Sequence, residues 1–249
     1  MNDHIQIERR GAIQSIRMNR PDKKNAITRA MYAAMAKGLT DGDADPAVRC
    51  HVILGVPGAF SAGNDLADFM AVATGAEGGR EVYDFLLALA KSQKPIVSGV
   101  DGIAVGIGTT INLHCDLTFA TARTNFHTPF VDLGIVPEAG SSMIVPATIG
   151  RQQAFALLAL CEPFSAARAR EVGLIYAVVD EAALEDAVFD AAEKIAAKPP
   201  EGLKITRDFL LGDRSALVKR IEEEGVQFRA RLKSDEAHAA LTAFMSRKK

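Results

Sequence analysis

Alternation of apolar and polar positions opens the chain. Residues 5–8, IQIE, and 12–18, AIQSIRM, alternate with a period of two around Arg10-Gly11, the pattern of a β-hairpin. A helical period follows from Thr28, read as the N-cap, to about Leu39. Three apolar runs, 49–55, 95–100 and 116–121, read as strands. Between them stand a helix over about 79–91, after a glycine-rich linker, and an apolar helix entered through Thr109, Thr110 and Ile111. Helices over 141–149 and 151–160, a short helix from Pro163–Ala166 through Glu171 and a strand over 174–179 come next. From 181 onward only helical periods remain: 181–197, 202–211 after the Pro199-Pro200 break, 215–231 and 234–245. The expected fold is α/β, with a core over 1–196 and a C-terminal helical region over 197–249. Its apolar faces suit packing against a neighbouring subunit.

Composition narrows the functions open to such a chain. With 249 residues, 48% of them hydrophobic, it can bury one sizeable core. Its 29 basic residues are matched by 31 acidic ones, so there is no broad field for nucleic acid or an anionic membrane. An anionic ligand must be met locally. Cys50, Cys115 and Cys161 are odd in number and far apart, with neither metal-ligand spacing nor a disulfide framework, and they suit a reducing compartment as buried thiols. The opening MNDHIQIERR has no signal-peptide core, no run of about eighteen apolar residues occurs, and the closing SRKK is not a Ser-Lys-Leu address. The expectation is a cytoplasmic protein without membrane association. Absence of Trp and 6% aromatics speak against a base-stacking or sugar-binding module.

The candidate chemistry centres on residues 126–142, FHTPFVDLGIVPEAGSS, where Glu138 follows Pro137 and precedes Ala139, Gly140 and two serines. Taken alone, Glu138 is either a turn carboxylate facing water or capping the helix that Ser141 begins, or a general base. The second reading requires backbone N–H donors able to hold an enolate or oxyanion. Two loops offer them, Val56–Leu66 and Gly102–Gly108, each following a strand. The second invites a dinucleotide reading, but Gly106-x-Gly108-x-x-Ile111 lacks the third glycine, and no Gly-Lys-Ser/Thr occurs. What remains is a helix start with free amides, suited to an oxyanion. The loop Asn19–Ala26 is either a solvated basic turn or brings its lysines to ligand phosphates. Asp65 reads as loop-capping and His127 as a structural imidazole. His114 beside Cys115 lacks a second ligand pair, so no metal is assigned.

Taken in order, Asn19-Arg20-Pro21 with Asn25-Ala26, Phe60–Leu66, Asp101–Gly108, His114-Cys115-Asp116, Leu133-Gly134 and Ala167–Gly173 resemble the crotonase (enoyl-CoA hydratase/isomerase) superfamily over nearly the whole chain. The resemblance implies a spiral of ββα turns, assembled as trimers or paired trimers, and a hook-shaped coenzyme A thioester as substrate with no separate cofactor. It puts the thioester oxygen between the backbone amides of Asn64 and Ile107. Ala62 and the residues beside it, Gly63, Asp65 and Leu66, would lie along the coenzyme A moiety with Gly106, and Lys24 and Ala26 at its entrance. Where the superfamily's hydratases carry two glutamates, this chain has Thr110 and Phe130, neither able to deprotonate water. Glu138 instead falls where peroxisomal-type delta(3),delta(2)-enoyl-CoA isomerases carry one catalytic glutamate. Phe126–Phe130, Pro137-Glu138 with Ser141-Ser142, and Ser234-Asp235-Glu236 with Phe244–Lys248 are similar to theirs. Phe130 and its apolar neighbours would exclude water and raise the pKa of Glu138. The resemblance therefore implies an isomerase of fatty acid degradation, whose pocket depth the segment around Phe69–Tyr83 would set. Hydratase, thioesterase or ring-isomerising chemistry, and non-catalytic acyl-CoA binding, are the alternatives.

Overall fold

The opening alternation becomes an antiparallel hairpin, β1 (Ile5–Arg10) with β2 (Ile13–Met18), in the computed structural model, which describes residues 4–73 and 79–246. Helix α1 (Arg29–Ala44) is capped by Thr28, whose Oγ1 accepts the Met31 N–H at 3.3 Å. It buries Met31, Tyr32, Met35 and Leu39 on one face. The helix continues past its expected end at Leu39 because Gly38 and Gly42 sit buried against Ile7 and Gln14.

The chain then runs through β3 (Cys50–Leu54), β4 (Ala59–Ser61), α2 (Leu66–Ala73), α3 (Arg80–Lys91), β5 (Ile96–Val100), β6 (Ile103–Val105), α4 (Ile107–Thr110), β7 (Leu117–Thr121) and β8 (Asn125–His127). After α5 (Ser141–Leu158), β9 (Phe164–Ser165), α6 (Ala166–Glu171) and β10 (Ala177–Val179), the described elements are all helical. They are a 3-10 turn at Glu181–Ala183, α7 (Leu184–Ala196), α8 (Pro200–Leu211), α9 (Arg214–Leu232) and α10 (Asp235–Ser246). Each circuit of the chain lays one strand in each of two sheets. β3, β5 and β7 run parallel in a six-stranded sheet ordered β1-β2-β3-β5-β7-β10, while β4, β6 and β8 run parallel in a four-stranded sheet ordered β4-β6-β8-β9. This is the ββα spiral expected from the resemblance.

The structure departs from several expectations. The second sheet carries no sequence signal: β4 and β6 lie in segments expected as loops, β8 overlaps the start of the 126–142 stretch and β9 the expected start of a short helix, because strands two or three residues long have no period of their own. The apolar helix expected at Thr109 begins at Ile107, lasts one turn and tightens into a 3-10 helix over Ile111–His114. The strand expected over 174–179 shortens to 177–179, since the N–H groups of Leu174 and Ile175 turn back to the Ala169 carbonyl. Helix α8 starts at Pro200, before the expected residue 202: a proline in the first turn lacks only an N–H that has no partner there. The backbone of α5 breaks at Gly150 (φ 76°, ψ 160°), which gives the two helices expected on either side of it.

Helix α8 is fastened to the core by Arg207, 5% exposed, which donates to Asp116 Oδ1 at 2.8 Å and to the Ser92 carbonyl at 2.7 Å. All three cysteines are free, and burial pushes the Cys50 and Cys115 thiols up to about 12, which leaves them unreactive. No helix among the described residues is long and apolar enough to cross a membrane. Residues 74–78, which belong to the glycine-rich linker and to the segment expected to set pocket depth, lie outside the described residues, as do Arg247 and Lys248.

Candidate active site

Two turns leave the second sheet at the same end, because β4 and β6 are parallel neighbours. Residues 62–65 follow β4, and residues 106–108 follow β6. Their backbones touch: a Cβ on Gly63 would stand 2.9 Å from the Val105 carbonyl, and one on Gly108 2.7 Å from the Ser61 carbonyl. The first turn is laced to the basic loop by Ile27 N–H to Gly63 O (2.8 Å), Asp65 N–H to Ile27 O (2.9 Å) and Ala62 N–H to Lys24 O (2.9 Å). The second is held by Gly106 N–H to His127 O (2.8 Å) and by Thr109, whose hydroxyl donates to Ala104 O at 2.6 Å. Among the described residues, the N–H groups of Asn64 and Ile107 donate no hydrogen bond. Two unengaged amides thus issue from adjoining backbone, which is what an oxyanion requires.

Glu138 reaches this region on a turn with two successive left-handed residues, Ala139 (φ 61°) and Gly140 (φ 71°). A non-glycine residue held there costs about 1 to 3 kcal/mol, so the surroundings must impose it. They do so from two sides. His114 Nε2–H donates to Ala139 O at 2.8 Å, and burial lowers that imidazole to about 4, so it is neutral. From α9, the carboxylate of Glu224 accepts the N–H groups of Gly140 (2.6 Å) and Ser142 (3.0 Å). Glu138 is 8% exposed, and among the described residues its carboxylate takes one hydrogen bond, from the Thr110 hydroxyl to Oε1 at 2.5 Å. Burial, chiefly, and the charge of Glu224 raise its carboxyl to about 8 against the opposing Thr110 bond.

Glu138, Asn64 and Asp65 line one apolar pocket walled by Ile27, Tyr32, Phe69, Leu86, Ile221 and Phe228. Phe69 and Phe228 meet edge to face at 6.0 Å. Ile107, Gly106, Phe130, Lys24, Ala26, Ala62 and Gly63 are not among the pocket-lining residues. Phe130 is buried in the core cluster, Lys24 is exposed, and Leu66 opens α2. The basic loop is more than a solvated turn: Asn25, fully buried, donates to the carbonyls of Met18, Ala59 and Phe60. Asp65 pairs with Arg20 at 2.7 Å and accepts the Ala67 N–H; burial raises its carboxyl, but these bonds outweigh it and hold the group below the ordinary range.

Three contributors went unassigned in the sequence. Tyr32 donates its hydroxyl to Asn64 Oδ1 at 2.7 Å, and burial followed by nearby Glu138 raises the phenol well above its usual value, keeping it a donor. Thr110 serves as the hydrogen-bond partner of Glu138. Helix α9, expected only as a subunit-contact element, walls the pocket and supplies Glu224. Nothing local marks Glu224 in the run Glu222-Glu223-Glu224. No group of three or more His, Cys, Asp or Glu among the described residues could hold a metal ion.

Residues 8–249 match the family described as enoyl-CoA hydratase/isomerase. The chain is 33% identical to rat enoyl-CoA delta isomerase 2 over 98% of its length, and spans 64% of that protein. It is 29% identical to 1,2-epoxyphenylacetyl-CoA isomerase of Escherichia coli strain K12, over 95% of this chain and 93% of that one. Its structure superposes on that of Pseudomonas aeruginosa OdaA with a TM-score of 0.93 and 40% identity, covering 98% and 99% of the two chains.

Proposed function

Because this chain belongs to the enoyl-CoA hydratase/isomerase family, we propose that it is a delta(3),delta(2)-enoyl-CoA isomerase acting in fatty acid degradation. The observation that carries this reading is Glu138: a buried carboxylate in an apolar pocket, held by the hydroxyl of Thr110 where a hydratase would have a second acid. As carboxylate, Glu138 takes a proton from carbon 2 of a 3-enoyl-CoA. The electron pair moves into a dienolate whose charge rests on the thioester oxygen, facing the N–H groups of Asn64 and Ile107. Losing one such donor typically costs about 3 to 4 kcal/mol of barrier. Glu138, now protonated, returns the proton at carbon 4, and the double bond lies between carbons 2 and 3. Thr110 occupies Oε1, so Oε2 is the oxygen that carries the proton. Apolar walls keep water from competing for the dienolate.

An assay with 3-hexenoyl-CoA and with crotonyl-CoA tests the reading. Isomerisation is expected to exceed hydration by at least about 100-fold, since hydration lacks its acid–base partner. Because the ionised form of Glu138 is the base, kcat/KM should climb with pH and level off above about 8. Fast hydration of crotonyl-CoA without isomerisation would refute it.

The coenzyme A portion is assigned to the Lys24–Ala26 and Ala62–Leu66 segments with Gly106, on the family's pattern. The assembly is assigned as a trimer or a pair of trimers. Supporting it, α8 exposes Phe209 and Leu210 at 83% each, apolar surface that a lone chain would leave in water. Sedimentation velocity should give three or six chain masses; a monomer at micromolar concentration would exclude both.

A further inference from the structure

We propose that Glu224 is a positioning residue of the catalytic turn: from α9 it fixes the backbone at Gly140 and Ser142, and through it the placement of the Glu138 carboxylate in the pocket. The inference rests on reading Glu138 as the proton carrier.

Glu224 is 7% exposed, yet no Lys, Arg or His among the described residues forms an ion pair with it. Its two oxygens are each committed to one backbone N–H, Oε2 to Gly140 and Oε1 to Ser142. A buried carboxylate without a cation is costly unless the bonds it receives are strong, and charge-assisted bonds at a helix start are of that kind. The same helix closes on the turn by packing: a Cβ on Gly140 would lie 2.3 Å from Leu217 Cδ1. The turn is thereby clamped between His114, at Ala139 O, and Glu224, two residues from Glu138. A shift of about 1 Å at a reacting group can cost about 100-fold in rate. The carboxylate that prevents this shift comes from the helix that also walls the pocket, so one element both bounds the pocket and aligns the base.

The clamp also carries a charge. Around Glu138 stand Thr110 from α4, which donates to it; the protonated phenol of Tyr32 from α1; neutral His114 from the 3-10 helix; and Glu224 from α9. Arg220 of α9 donates to Ser142 Oγ at 3.3 Å, Asp65 is paired with Arg20, and Arg29, Asp68 and Arg229 stand in the pocket wall. Of these, Glu224 is the like charge that favours the protonated form of Glu138.

Glu224→Gln keeps the shape and one acceptor while removing the charge. In wild type and this variant, Glu138 is titrated by carbon-13 NMR of labelled glutamate carboxyls, its resonance identified by loss in Glu138→Gln. Alongside, kcat, KM and their pH profiles are measured on 3-hexenoyl-CoA. The expected result is a Glu138 midpoint below the wild-type value, a kcat lower by about 10- to 100-fold, and a KM within about twofold of wild type. The rising limb of the rate profile should move to lower pH with the NMR midpoint, a displacement that a merely structural cap would not produce. Glu224→Ala should lose more kcat; if it fails to fold, the glutamine variant still decides. An active wild type with unchanged kcat and midpoint in Glu224→Gln would overturn this inference and leave the isomerase reading intact. A wild type without isomerase activity would remove that reading, and an unmoved NMR midpoint would then still refute the link between the two carboxylates.

Discussion

Glu138→Gln is expected to lower turnover of 3-hexenoyl-CoA by about 10⁴-fold, the upper end for loss of one acid–base group, because the proposed mechanism uses the same carboxylate in both proton transfers. Acyl-CoA affinity should be unchanged, since the amide has the same shape and still accepts from Thr110. The variant should also be more stable than wild type, in a pH-dependent way. The folded carboxyl sits at about 8 against an ordinary 4.5, so between these values the folded protein binds a proton that the unfolded chain has released. Wild-type stability therefore falls as pH rises from about 4.5 to 8, and the whole penalty is present above 8. Urea melts at pH 5 and pH 8.5 should show the variant gaining on wild type by a few kcal/mol at the higher pH, on the order set by the shift. Equal stability at both values would mean that Glu138 is not desolvated, and retained turnover would remove it from the mechanism.

Gly102→Ala should be among the most damaging substitutions outside the pocket. Gly102 has φ +72°, and a Cβ there would stand 2.0 Å from the Gly58 carbonyl oxygen and 2.4 Å from its carbon. Neither atom can yield. Gly58 lies between β3 and β4 and donates its N–H to Asp101 at 2.7 Å, while Asp101 is bound to Arg123 and Thr121. The Gly102 carbonyl accepts the Asn125 N–H at 3.0 Å, where β8 begins. One methyl group would thus push apart all three strand-to-strand crossings, with an expected loss above about 4 kcal/mol, or insoluble expression. Gly173→Ala is the control: φ is +84° but no atom lies within 4 Å of its Cβ, so only the left-handed penalty of about 1 to 2 kcal/mol should be lost. Similar midpoints for the two variants in urea would show that the contact with Gly58 does not matter.

The contact between Gly102 and Gly58 has no local signal in the sequence. The loop of Gly102 is expected to present amides to a ligand, and the N–H of Ile107 is left without an acceptor among the described residues, but Gly102 itself allows two sheets to be joined at van der Waals contact. The hairpin and the strands β3, β5 and β7 were legible because each is a five- or six-residue run with its own apolar pattern. Strands β4, β6 and β8, three residues each, exist only by pairing with one another, which no local pattern encodes. Within the site, Glu138 stood out by being a single acid in an apolar, turn-rich stretch. Tyr32 looked like any core aromatic at helical spacing, and Glu224 like one charge on a solvated helix face. Their parts depend on Asn64 and Gly140, distant in sequence, and such meetings are tertiary facts.

The link between Glu224 and Gly140 spans 84 residues of chain. Synthesis proceeds at roughly 5 to 20 residues per second, so a nascent chain carries Glu138 for several seconds before the helix that clamps its turn has been made. Throughout that interval the spiral's successive layers can stack, since each is adjacent to the one before, but the reaction chamber lacks a wall. A polypeptide interrupted on the ribosome before α9 therefore has His114 at this turn but not Glu224, and its pocket lacks the wall that Ile221 and Phe228 supply.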